Sequence, residues 1–185
     1  MIYLTDKFCR FVRCYVVRVL GIDPGYAIIG WGVLDYNANH FSVVEFGAIT
    51  TPAKTAFESR LLTIYEQMNK IIEKTAPDCI SIEKLYFNSN TTTAIEVAEA
   101  RGVILLSARQ HCIPVSEYTP LQVKQSVTGY GRAEKKQVME MTGKILNLKK
   151  LPKPDDTADA LALAICHSHS SGSIYGKLSL NGGII

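Results

Sequence analysis

Four carboxylates have the residue type and placement to do chemistry: Asp23, Glu83, Asp156 and Asp159. The first two each close a short apolar stretch, and the last two lie three residues apart before an Ala/Leu-rich run. Hard ions such as Mg²⁺ and Mn²⁺ prefer carboxylate oxygens as ligands. Two such ions about 3.5–4 Å apart can activate a water and stabilise the leaving oxygen of a phosphodiester. If the four groups converge, their charges repel one another, so we expect bound metal also to stabilise the fold.

Short strands would position the first two carboxylates. Residues 16–22 are apolar or β-branched with one basic exception, which predicts a strand covered on both faces, and a Pro-Gly pair then turns the chain. Residues 78–83 predict a second core strand, parallel to the first because an amphipathic helix over 57–74 crosses between them. Asp23 and Glu83 would then lie at the carboxyl edge of one sheet, where open α/β sheets place their chemistry. Taken alone, Asp23 could equally well cap the turn.

The other elements complete an α/β fold. Two strands follow the first closely enough to pair with it as an antiparallel meander. A later strand contains Pro114, which favours a strand's first turn or an edge position. We therefore predict a mixed five-stranded sheet flanked by helices. The predicted strands cover 16–23, 29–36, 41–49, 78–83 and 113–118, and the predicted helices cover 57–74 and 91–110, begin at 120 and 132, and end with one that begins at 155.

The start of the last predicted helix holds the second carboxylate pair. Asp155 could serve as the N-cap, and acidic residues suit the positive end of the helix dipole. Asp156 and Asp159 share one face. Asp159 lies one turn inside the helix, beside an apolar face that must be buried, and a carboxylate there is costly unless a cation meets it. This is the strongest local indication of metal binding in the sequence.

The basic residues are concentrated in one part of the chain. Residues 101–153 carry ten Lys and Arg but three Asp and Glu, whereas the flanking segments are net acidic. Two predicted helix starts with exposed basic residues flank the Gly-Tyr-Gly turn at 129–131, an arrangement that suits phosphate contacts. The candidate DNA-contacting residues of this region are Lys124, Arg132, Lys135 and Lys136. The alternative is an ordinary solvated basic face, which is at least as common.

Two further segments have open interpretations. Tyr86 and Phe87 are adjacent aromatics in a polar loop after Glu83, and they could stack on unpaired bases or pack beneath the loop. Small residues around Gly102 permit a close approach by another element. That element could be the sheet, which is the default, or a second subunit.

Length and composition indicate one globular domain over residues 16–169. An extension of uncertain status precedes it at 1–15, and a Ser/Gly-rich tail that we expect to be flexible follows at 170–185. The five cysteines are scattered and contain no C-x-x-C pair, which argues for a reducing compartment and against a disulfide framework or zinc site. Cys166, His167 and His169 are better explained as a helix end than as metal ligands. With no secretory signal and no apolar run near 20 residues, we expect a cytoplasmic protein without membrane contact.

Taken in order, the motifs resemble the bacterial Holliday-junction resolvases of the RuvC family. The resemblance runs from about Arg18 to His169. Each motif is weak, but the ordered set is very specific. The resemblance implies a ribonuclease-H-like fold and a homodimer that cuts opposing strands of a four-way DNA junction in recombination and repair, with the branch-migration complex RuvA–RuvB as partner. The motifs are Gly21–Gly25, Ile82-Glu83, Glu99–Val103, Val123–Gln125, Ala133–Lys135 and Asp156–Ala162.

The resemblance also implies roles for individual residues. The four carboxylates would hold the metal, with two Mg²⁺ per subunit expected and Mn²⁺ able to substitute. Lys124 and Lys135 match basic residues near the scissile phosphate. Tyr86 matches a base-stacking aromatic, although the adjacent Phe87 could serve instead. The helix from Ala94 matches the subunit-contact region, which favours the dimer interpretation of Gly102. The extension at 1–15 departs from the family pattern.

Three rival functions use the same features. A ribonuclease-H-fold nuclease acting on RNA would use the same carboxylates, but the basic segment at 119–136 and the loop at 84–90 favour a junction substrate. An actin- or sugar-kinase-type ATP-binding protein fits Gly21–Gly25, but the sequence has no second glycine-rich phosphate loop. A non-catalytic junction-binding module would be expected to lack one of the four carboxylates.

Overall fold

The computed structural model describes residues 16–85 and 93–180, with side chains described up to residue 171. The predicted extension at 1–15, Tyr86 and Phe87 lie outside these residues. The strands are β1 (Val17–Asp23), β2 (Ile28–Asn37), β3 (His40–Thr50), β4 (Cys79–Glu83) and β5 (Val115–Tyr118). The helices are α1 (Phe57–Thr75), α2 (Ala94–Gln110), α3 (Pro120–Thr128), α4 (Lys135–Ile145) and α5 (Asp155–Leu180). No helix in the described part of the chain is long and apolar enough to cross a membrane.

The five strands form one mixed sheet in the order β3-β2-β1-β4-β5. Strands β1, β2 and β3 pair as an antiparallel meander, and β4 and β5 add to β1 in parallel. Arg18 is the basic exception in β1, and it donates from Nε and Nη2 to the two Asp35 carboxylate oxygens on β2 at 2.7 and 2.9 Å. Its Nη1 also donates to the Thr75 carbonyl at the end of α1. The predicted fold class is confirmed.

Each face of the sheet carries its own core. One core lies beneath α1 and α2, where Ile64, Met68, Ile71 and Ile72 supply the buried stripe of α1 at helical spacing. The other core lies beneath α3, α4 and α5. The buried stretch of α5 from Ala160 to Cys166 packs across β1 and β2. The central strands β1 and β4 are therefore largely buried on both faces, as the apolar first strand predicts, whereas the edge strand β3 is mostly exposed or half-buried.

Glycines allow α5 to lie directly on the sheet. Gly21 of β1 and Gly30 of β2 face this helix, and a β-carbon at either position would overlap a backbone carbonyl, that of Ala160 or that of Asp156. Gly30 is also the register partner of Asp23. The first turn of α5 is thus held within backbone contact of the strand beside the β1 carboxylate.

The structure differs from the sequence prediction at several helix boundaries, among them the start of α2, which is Ala94 rather than residue 91. Helix α4 begins at Lys135 rather than at Arg132, because the Glu134 amide donates to the Gln137 side chain at 2.9 Å and opens the helix there. Helix α5 continues through the predicted tail as far as Leu180. Within that stretch the Ser170 and Ser171 hydroxyls donate to carbonyls one turn earlier, at 2.8 Å, so these serines are compatible with helix.

Candidate active site

The first two carboxylates lie at the ends of adjacent parallel strands. Asp23 ends β1 and Glu83 ends β4, and the residues before them, Ile22 and Ile82, are register partners. Both isoleucines are fully buried, which fixes the backbone that carries the two acids. The pairing that the sequence predicted between these carboxyl-edge positions is therefore present.

Burial and mutual repulsion shape the protonation of this pair. Burial and the charges of Glu83, Asp159 and Asp156 raise the pKa of Asp23 well above its usual range. Burial also raises the pKa of Glu83, although its hydrogen bond with Asp23 opposes that shift. Both shifts disfavour the charged forms, because carboxylates brought together in a buried place repel one another. A cation that met these groups would relieve that repulsion.

The second pair lies in the first turns of α5. Asp156 and Asp159 are both partly exposed, whereas Thr157 and Ala158 between them are buried. The Thr157 hydroxyl donates to the Gly47 carbonyl of β3 at 3.1 Å, which anchors this turn to the sheet. Asp155, predicted as a possible cap, is instead the first residue of the helix.

A lysine meets the inner carboxylate. Lys135 Nζ lies 3.0 Å from Asp159 Oδ2 and 3.9 Å from Asp155 Oδ2. Burial raises the pKa of Asp159, and the Lys135 ammonium offsets part of that rise. Burial alone would lower the pKa of Lys135, but its hydrogen bond to Asp159 and the acidic charges raise it overall. We expected a cation beside Asp159 because that carboxylate is partly buried, and the Lys135 ammonium supplies part of this positive charge.

A cleft of about 280 Å³ lies between the sheet edge and helices α3, α4 and α5. Lys124 and Lys135 line it together with Glu83 and Asp159, whereas Asp23 and Asp156 are not among its lining residues. The capping box at Thr119 and Gln122 starts α3 at the predicted position, and Lys124 on that helix faces the cleft. An anionic group in the cleft would meet two ammonium groups beside the carboxylates.

The other predicted DNA-contacting residues lie outside the cleft. Arg132 is exposed in the turn between α3 and α4, and Lys136 is exposed on the first turn of α4. Neither residue lines the cleft. Both are within a few residues of Lys135, so they widen the basic surface around the cleft opening.

The donor set fits a hard cation because it consists of carboxylates alone. Within residues 16–85 and 93–180, no three His, Cys, Asp or Glu side chains already stand at the spacing of a metal cluster. Lys135 offsets part of the negative charge of the four predicted metal ligands by pairing with Asp159. His167 and His169 are occupied elsewhere, with ring nitrogens 2.9 Å from the Tyr118 hydroxyl and 3.1 Å from the Ser126 hydroxyl.

Comparison with known proteins supplies the family. The sequence model described as "Crossover junction endodeoxyribonuclease RuvC" matches residues 19–167. The chain belongs to the RuvC family. The curated RuvC of Ruminiclostridium cellulolyticum is 56% identical over 161 residues, covering 86% of this chain and 97% of that protein. The RuvC of Alkaliphilus oremlandii is 55% identical over 152 residues, covering 82% and 93%.

Solved RuvC structures share the fold as well. The structure titled "T. thermophilus RuvC in complex with Holliday junction substrate" superposes with a TM-score of 0.79 at 31% identity, covering 86% of this chain and 96% of that one. The yeast mitochondrial Holliday junction resolvase Ydc2 has a TM-score of 0.62 at 16% identity, which supports the fold alone. The ribonuclease-H-like architecture implied by the sequence resemblance is therefore confirmed.

Sequence reasoning missed several residues that position the site. Gly21 and Gly30 set the approach of α5, and glycines inside predicted strands were the available signal. His167 was seen only as a helix end. In the structure it is buried, with its Nε2 3.2 Å from Cys79 Sγ, and it links α5 to β4 and β5. No local sequence pattern predicts these contacts, because His167 lies far along the chain from Cys79 and Tyr118.

Proposed function

We propose that this chain is a structure-specific endonuclease that resolves four-way DNA junctions by Mg²⁺-dependent nicking of opposing strands, in recombination and repair. The observation that carries the proposal is the set of two strand-end and two helix-start carboxylates beside a cleft lined by Lys124 and Lys135. Membership of the RuvC family, and the Holliday junction bound to the T. thermophilus relative, support the choice of substrate.

Asp23, Glu83, Asp156 and Asp159 would hold the metal, with two Mg²⁺ expected and Mn²⁺ able to substitute. Bound there, the metal would supply an activated water and charge stabilisation at the leaving oxygen. Lys124 and Lys135 would bind the phosphate, since both line the cleft beside Glu83 and Asp159. Each lysine is carried by a helix, which holds its backbone in place near the anion.

The protein's own charges set the conditions for this site. Burial and carboxylate repulsion raise the pKa values of Asp23 and Glu83, and metal binding would oppose that shift because carboxylates bind a cation in their charged forms. Lys135 must also exchange Asp159 for the substrate phosphate. The pairing of Lys135 with Asp159 therefore keeps the lysine beside the cleft while the substrate is absent.

The proposal extends to assembly and location. Paired nicks on opposing strands need two sites, so we propose a homodimer formed through the α2 region around Gly102. The exposed apolar side chains Ile95 and Leu106 on that helix support this, at 69% and 53% exposure. We propose a cytoplasmic location from the scattered cysteines and the absence of a recognisable secretory signal. Cooperation with the RuvA–RuvB complex is proposed from the family resemblance alone.

The test is cleavage of a synthetic mobile four-way junction by the purified protein, with Mg²⁺ or with EDTA. A linear duplex and an RNA–DNA hybrid of the same sequence serve as matched substrates. Symmetric paired nicks on the junction alone, dependent on Mg²⁺, are the expected result. Cutting of the hybrid instead would support the ribonuclease alternative, and binding without cutting would leave only a junction-binding module.

A further inference from the structure

A row of lysines outside the cleft has no role in the site described above. Lys144 lies in the last turn of α4, and Lys149, Lys150 and Lys153 lie in the connection from α4 to α5. We call these four residues the basic track. All four are exposed, and within the described residues none makes an ion pair with a carboxylate. Favourable interaction with the helix dipole accounts for Lys144 alone, because that effect fades beyond the last turn.

The basic track begins beside the candidate active site. Helix α4 starts at Lys135 in the cleft, and Lys144 lies nine residues further along, about 14 Å along the helix axis and about half a turn around it. The connection then returns along α4 to Asp155, whose carboxylate is 3.9 Å from Lys135. Lys153 is therefore near the cleft, and Lys144 marks the far end.

The backbone beneath the basic track is fixed. The Leu148 amide donates to the Gly143 carbonyl at 2.9 Å, and Leu146 is buried with 7% exposure. A β-carbon at Gly143 would lie 2.8 Å from Leu151 Cδ2, so the connection packs closely on α4. Lys144, Lys149 and Lys150 line one open concavity of about 690 Å³ on this frame. The lysines are thus held at set positions along one side of α4.

We infer that the basic track binds the phosphate backbone of one duplex arm of the junction as it leaves the active site. This inference rests on the proposed function. Duplex DNA carries one phosphate charge about every 1.7 Å of its axis, so each exposed lysine of the basic track can reach a phosphate of an arm that lies over it. Phosphate contacts of this kind position a duplex without reading its sequence. The alternative ligand of the basic track is an acidic protein surface. The following test separates the two ligands, because only DNA binding by the track changes the salt dependence of junction affinity.

The test compares the variant K149Q/K150Q with wild type in junction binding across salt concentrations. Each lost phosphate contact lowers the slope of log K against log[salt] by about 0.9, so the expected decrease is about 1.8. Between 50 and 200 mM salt, wild type should then lose roughly tenfold more affinity than the variant. The matched control is K54Q/K70Q, which removes the same charge from exposed lysines before and within α1 and should leave the slope unchanged.

The outcomes separate this inference from the proposed function. If wild type does not prefer a four-way junction to a linear duplex, the proposed function fails. If wild type prefers the junction but K149Q/K150Q keeps its affinity and its salt slope, the basic track does not contact DNA and the inference is overturned. The cleavage rate of the bound complex should be unchanged in the variant, because these lysines lie outside the cleft.

Discussion

Replacing Gly30 with alanine should separate α5 from the sheet at the point where the site is assembled. The added β-carbon would lie 2.8 Å from the Thr157 nitrogen and would overlap the Asp156 carbonyl, whereas ordinary contact begins at 3.4 Å. The obstacle is backbone, which no side-chain rotation can relieve. The first turn of α5 must therefore withdraw by about 1 Å or more, and Asp156 and Asp159 must move with it.

The size of the effect follows from that displacement. Overpacking of this kind costs about 1–3 kcal/mol of unfolding free energy. For a chain of this length that lowers Tm by roughly 2–10 °C. A shift of about 1 Å in catalytic groups can cost about 10²-fold in rate. Junction affinity should change little, because Lys124 and Lys135 lie on α3 and α4 rather than on α5.

The assay pairs thermal unfolding with single-turnover cleavage of a four-way junction. Gly143→Ala is the control for unfolding, because its β-carbon would meet only the end of the Leu151 side chain, which can move, and alanine favours a helix by up to about 1 kcal/mol. Gly30→Ala should therefore lower Tm more than Gly143→Ala does. Wild-type stability together with a wild-type cleavage rate in Gly30→Ala would refute the close approach of α5 to β2.

Three other predictions test the charges of the molecule. Asp159→Asn should abolish cutting while leaving junction binding largely intact, and retained cutting would remove Asp159 from the site. Mg²⁺ at a hundred times its Kd should raise the free energy of unfolding by about 2.7 kcal/mol, or Tm by roughly 5–10 °C, through relief of carboxylate repulsion. EDTA should reverse that rise and Asp23→Asn should reduce it, so a metal-independent Tm would count against the site. Burial lowers the pKa of His167, so the unfolded chain binds its proton first as the pH falls below about 6.5 and the histidine then favours unfolding. The raised pKa values of the site carboxyls change stability in the opposite direction as the pH falls. The measurement is therefore the difference in unfolding free energy between wild type and His167→Gln from pH 7.5 to 5. A difference that stays constant over this range would contradict a buried neutral His167.

The fold was predictable where the pattern is local. The apolar run of β1, the helical stripe of α1 and the Thr119-Pro120 start of α3 each carry their own signal, and each forms as expected. The end of α5 was not predictable in this way. Its serines and glycine are typical of a flexible tail, but Ser170 and Ser171 satisfy their hydroxyls within the helix that the buried stretch before them has already begun.

The candidate site was also predictable only where its geometry follows from a local sequence pattern. The positions of Asp23 and Glu83 could be predicted because a parallel crossover places strand ends side by side. The contact between Lys135 and Asp159 could not, because it depends on how α4 lies against α5, and neither helix encodes that angle alone. The sequence indicated both residues, but it assigned the lysine to DNA and the carboxylate to metal, without the ion pair that joins them.

That ion pair connects the stability of the site with its proposed chemistry. Carboxylates crowded at a sheet edge oppose folding, and here Lys135 limits that opposition by pairing with Asp159. This compensation is exchangeable, since an exposed lysine can turn to a phosphate. The repulsion that remains is offset by the fully buried residues of α5 beneath the acids. The helix that brings Asp156 and Asp159 to the cleft therefore also supplies the core that stabilises them there, which is why a perturbation of its approach at Gly30 should affect both stability and rate.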